Sequence, residues 1–155
     1  MATTYQQNTQ INYHLTEAKT KLWAVPLGRS FFSLIFILSG INHFNSGTIA
    51  YAAGQGIPFA SILVPFSGIM AVVGGLSVLL GYYARVGAML LILFLVPITL
   101  TMHNFWTISD PTMHQMQMIQ FMKNLSMLGG AILIAFYGSG PKSLDHKKHP
   151  LKRTL

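Results

Sequence analysis

Three ionisable side chains stand in otherwise apolar surroundings, His43, His103 and Lys123, and amides accompany them at Asn104, Gln117, Gln120 and Asn124. Imidazole titrates near neutral pH and can give or take a proton. Together with an ammonium and amides, it suits a ring that carries carbonyl oxygens, a quinone above all. Phe105 and Trp106 would offer such a ring a flat wall, or else belong to the aromatic belt found at membrane interfaces. Met102, His103, Met113, His114, Met116, Met118, Met122 and Met127 form a second set. Thioether and imidazole suit Cu(I), and His114, Met118 and Met122 fall on one stripe of a helix. Against this stands the common use of methionine as apolar filler. Haem ligation by His43 and His103 is a further alternative.

Other chemistries are poorly served. The chain has no cysteine, so disulfides, thiol relays and thiolate metal sites are excluded for it alone. Its three acids, Glu17, Asp110 and Asp145, are too scattered to pair, and no nucleophile triad is visible. The glycines fall in apolar stretches, which is the wrong context for a phosphate-cradling loop.

The elements that must position these groups belong in lipid. Of 155 residues, 52% are hydrophobic and 8% charged, against roughly 25% charged in ordinary soluble domains. The spacing predicts an all-α integral membrane four-helix bundle with spans at about Leu27 to Phe44, Ile57 to Leu80, Arg85 to Met102 and Gln117 to Tyr137, since about 20 residues cross a bilayer. Asp110 followed by Pro111 reads as an N-cap with proline at the first helical position, so the last helix is expected to begin early. The layout is a polar N-terminal segment over 1–25, a transmembrane domain over 26–140 and a basic tail over 141–155. The N-terminal segment lacks the pattern of a cleavable signal, so the first span is expected to be retained.

A net charge of +7 arises from Lys and Arg that, Lys123 excepted, flank the apolar runs, which is a topology signal and no nucleic-acid stripe. The loops 45–56 and 103–117 contain no Lys or Arg. Both are expected outside, with both termini cytoplasmic in a bacterial inner membrane (N-in/C-in). The tail with His146 and His149 would rest on the anionic cytoplasmic leaflet. Helix rise then converts the anchors to depths. His43 lies roughly 21 Å beyond Arg29, His103 roughly 27 Å beyond Arg85, and Lys123 roughly 28 Å before Lys142. All three reach one level near the outer face, with Ser39 and Thr99 one turn beneath the histidines. This is a polar chamber, and polar groups inside a membrane span tend to be functional. The bland reading is that they tie the helices to one another. Ser67, Ala71 and Gly75, and Ser126 with Gly130, are small-residue stripes that would serve packing within the bundle or a homo-oligomer.

The chain resembles the DoxX family along roughly Leu27 to Asp145. The pieces are Gly28-Arg29, Ser39 to Phe44, Gly56-Ile57-Pro58, Gly74-Gly75 with Gly81 and Arg85, His103-Asn104-Phe105-Trp106, Lys123-Asn124 with Gly129-Gly130, and Gly138 to Asp145. The resemblance implies a four-helix bundle of the cytoplasmic membrane linked to redox physiology, with relatives in quinone-reducing thiosulfate oxidation and others that help assembly or cargo. It carries His103, Lys123, Asn124 and Arg29 over as candidate residues. Many members hold a lysine at the position of His43 and an acid near Ala71, and this chain has neither. The expectation is a redox-associated subunit that binds a quinone-type ligand through His103, Lys123, Asn124, His43, Asn104, Trp106 and Arg29, with a redox or membrane-protein partner. An assembly helper and a copper-handling protein (His114, Met118, Met122) are the rivals.

Overall fold

The computed structural model describes residues 2–145, and all regular structure among them is helical. Helix α1 runs Ala2–Asn42, α2 Ser46–Gly54, α3 Ala60–Leu80, α4 Ala84–Met102 and α5 Pro111–Tyr137, with a 3-10 turn at Phe105–Thr107. Four stretches are long and apolar enough to cross a membrane: Leu22–Asn42, Ala60–Leu80, Ala84–Thr107 and Pro111–Tyr137. The protein is a membrane-embedded helical bundle. The polar segment 1–25 is, from Ala2 on, helical and continuous with the first span. Of the basic tail, residues 146–155, including His146 and His149, lie outside the described residues.

Neighbouring spans are antiparallel, and α3 packs between α1 and α4 while α5 packs on α4. The interior combines small residues with a few large ones, Phe36, Leu91, Phe94 and Leu95, while most large apolar side chains face outward. Ala71, Ala84, Ala88 and Ala131 are fully buried, whereas Phe31, Phe66, Leu93 and Phe136 are more than half exposed. Lipid solvates such side chains as well as a core does, so helix association rests on close backbone approach. The contact between α1 and α3 is the clearest case. A Cβ on Gly40 would stand 2.8 Å from the Gly68 carbonyl oxygen, and one on Gly68 would stand 2.7 Å from that of Gly40. The stripe expected at Ser67, Ala71 and Gly75 is thus offset at one end. Gly68 makes the contact, and Ser67 bonds its hydroxyl to the Val64 carbonyl.

The last helix begins where the sequence places it. Asp110 accepts a hydrogen bond from the Met113 amide at 2.8 Å, and Pro111 occupies the first turn. Helix α2 is an addition to the expected four. Asn45, expected as plain loop, caps it by accepting from the Gly47 amide at 2.8 Å. Its Ala52 packs with Ala60 and Val64 at the start of α3.

The other end of the bundle is fastened by residues 138–145. The Arg29 guanidinium, only 6% exposed, donates to the carbonyls of Ser139 and Lys142. Asp145 accepts from the amides of Tyr83 at 2.8 Å and Ala84 at 3.1 Å, capping α4, while its own amide donates to the Gly81 carbonyl at 2.8 Å. The Lys142 ammonium sits 3.0 Å from the centre of the Trp23 ring. Gly81 has φ +62, and a Cβ there would meet that of Ser143 at 2.4 Å. Glycine is required at that turn.

Candidate functional site

Helix α5 would ordinarily bury an apolar face. Its buried residues are instead Gln117, Asn124 and Ala131, at seven-residue spacing. Two amides therefore point inward at the end of the bundle remote from the Arg29 fastening. Asn124 there borders a cavity of about 360 Å³ lined also by Ser39 of α1 and His43 just past its end, by Thr48 and Tyr51 of α2, by Met102 of α4 and His103 just past its end, and by Gln120 and Lys123 of α5. His43, His103, Lys123 and Asn124, from three different spans, share this one space. No acidic residue lines it.

The hydrogen bonds within the chamber are few. His103 Nδ1 pairs with Gln117 Oε1 at 2.7 Å, joining the end of α4 to α5. With the amide so oriented, Nδ1 donates to it. Lys123 donates to Gln120 Oε1 within α5. Asn124 is 5% exposed and borders the cavity. His43 Nδ1 is buried and without a hydrogen-bond partner among the described residues. The His43 ring meets Phe94 edge to face at 5.7 Å. Mutual tying of helices accounts for His103 and Gln117 only. A buried polar group without a partner costs about 1–3 kcal/mol, and a bound polar ligand would offset that cost.

The other candidates lie elsewhere. Asn104 lines a second polar cavity with Gln55, Thr107, Asp110 and Gln117, which adjoins the chamber at Tyr51 and Met102. Trp106 is 55% exposed and packs on Phe105 and Phe121, outside the chamber. Arg29 is at the opposite end, engaged by Ser139 and Lys142. On the proposed copper stripe, His114 turns toward the Ile108 carbonyl and the Phe105 ring, while Met118 and Met122 are exposed. Thr48 and Tyr51 were not expected at the site, because they ride on α2.

Comparison with known proteins accords with this architecture. A family profile for DoxX matches residues 24–104. The chain is 30% identical over 116 residues to inner membrane protein YphA of Escherichia coli, covering 74% of this chain and 82% of that protein. It is 27% identical over 123 residues to inner membrane protein YqjF of the same organism, covering 78% and 88%. It is 29% identical over 83 residues to ER-derived vesicles protein ERV29 of Saccharomyces cerevisiae, covering 54% of this chain and only 26% of that protein. No solved structure matches. With half its length matched by the profile and a relative of like length, this membrane-embedded chain belongs to the DoxX family.

Proposed function

We propose that the protein is a redox-associated inner-membrane subunit that binds a quinone-type ligand in the chamber. The observation that carries this reading is the convergence of His43, His103, Lys123 and the buried Asn124 on one cavity. The Asn124 amide, the Lys123 ammonium and an imidazole can together donate to the oxygens of a carbonyl-bearing ring, and the imidazole can exchange a proton as the ring changes redox state. The cavity is at the lower end of the roughly 300–1,000 Å³ typical of small-molecule sites. With both termini cytoplasmic, as the distribution of Lys and Arg favours, the chamber faces outward. Electrons would then pass between the ligand and a partner protein.

The test is mass spectrometry with an optical spectrum on protein purified in mild detergent. A quinone is expected at stoichiometric levels, and its content is expected to fall in His103→Ala, Lys123→Ala and Asn124→Ala. Full ligand content in all three variants would place the ligand elsewhere. Only structural lipid in the parent protein would overturn the reading.

A further inference from the structure

A second cavity adjoins the chamber. It also measures about 360 Å³ and lies between α2, α3 and α4, where Leu63, Val64, Phe66, Leu93 and Pro97 line it. Its character is the opposite of the chamber's: apart from hydroxyls at its edges and the shared His43, the walls are apolar. Leu63, Phe66 and Leu93 are 44%, 57% and 62% exposed, on the face that lipid covers. His43, Thr48, Phe94, Ile98 and Met102 belong to both cavities. The His43–Phe94 pair is therefore a common wall, polar toward one side and apolar toward the other.

We propose that the chamber takes an amphiphile delivered sideways from the bilayer, its oxygen-bearing head seated among His103, Lys123 and Asn124 and its hydrocarbon tail in the groove between α3 and α4, with His43 and Phe94 at the junction. This rests on the chamber being a ligand site and adds the ligand's class and route. Three observations support one occupant for both spaces. The cavities abut across five shared residues. The chamber supplies hydrogen-bond donors and a cation with no acid to balance it, which suits carbonyl or carboxylate oxygens. The chamber's wall on α5 carries Gln120, Lys123 and Asn124, so a tail directed toward that wall would meet polar groups. A long-tailed quinone and a fatty acid share the required chemistry.

The experiment uses the full chain in liposomes with two photoreactive probes, a decyl-benzoquinone and a decanoate, each carrying a diazirine midway along its tail. Cross-links are mapped by peptide mass spectrometry. Saturable labelling of peptides containing Leu63, Phe66 or Leu93 is expected with at least one probe, and the probe that labels identifies the source. Labelling should fall about tenfold in Lys123→Ala, since losing a charged hydrogen bond in a membrane chamber is of that order. It should also fall in Leu93→Trp and Leu63→Trp, two lipid-facing changes that fill the groove without touching the core. Saturable, Lys123-dependent labelling at Ile35 or Met127 would keep the chamber and overturn the sideways route. Groove labelling indifferent to Lys123→Ala and Asn124→Ala would reduce the groove to ordinary lipid contact and overturn the proposal. No saturable labelling by either probe would sink both the route and the chamber reading.

Discussion

Replacing Asp145 by alanine should loosen the end of the bundle opposite the chamber. The carboxylate accepts from the Tyr83 and Ala84 amides at the start of α4, and losing an N-cap acceptor costs about 1 kcal/mol in typical cases. A negative charge at a helix N-terminus contributes about 0.3–1 kcal/mol more, and the same charge acts on Arg29. The Asp145 amide bond to Gly81 survives the change. The expected loss is therefore about 2 kcal/mol. Asp145→Asn, which keeps one acceptor oxygen and drops the charge, should lose about half of that. Unfolding by sodium dodecyl sulfate in mixed micelles, followed by circular dichroism at the helix bands, reads both values. If Asp145→Ala stays within about 0.5 kcal/mol of the parent, as an ordinary surface substitution does, the fastening argument fails. Ligand content should be unchanged in either variant, because the chamber is at the other end.

Gly68→Ala should cost about 1–3 kcal/mol by overpacking, since its Cβ would stand 2.7 Å from both the Gly40 oxygen and the His43 Cβ. Gly129→Ala, where a Cβ meets nothing within 4 Å, should be neutral or stabilising by up to about 1 kcal/mol, and the same titration compares them. The cysteine-free chain also suits thiol mapping of orientation. With both termini cytoplasmic, Gln55→Cys and Asp110→Cys should react with an impermeant maleimide in intact cells, and Tyr82→Cys only after permeabilisation. The reverse pattern would invert the proposed orientation.

Much of this was legible in the residues themselves. The four spans follow from apolar runs of bilayer length, and the start of α5 from Asp110 and Pro111, because those signals are local. The convergence of His43, His103, Lys123 and Asn124 followed from helix rise alone, since cationic anchors give each helix a common depth scale. What escaped depends on pairing across long separations or on elements too short to carry a period. Helix α2 has nine residues, and nothing in Ser46–Gly54 distinguishes it from a loop except the cap at Asn45. Arg29 was placed with the ligand residues on resemblance, and only the folded chain brings it to Ser139, 110 residues away. Asp145 read as part of a basic tail for the same reason. Gly68 was passed over for Ser67 because a strict four-residue spacing drifts from the true helical repeat.

The Arg29 fastening also bears on how the protein is made. The ribosome delivers the first span with its guanidinium more than a hundred residues before the carbonyls of Ser139 and Lys142 emerge. Throughout that interval the arginine must stay with water or lipid phosphate at the membrane edge, for a charge deep in the bilayer costs about 2.5–3.5 kcal/mol on insertion. Chains halted before residue 139 hold all of α1, α3 and α4 yet leave that charge unclaimed and the turn at Gly81 uncovered. Synthesis of residues 139–145 thus separates a fastened bundle from one whose Arg29 still lacks these partners.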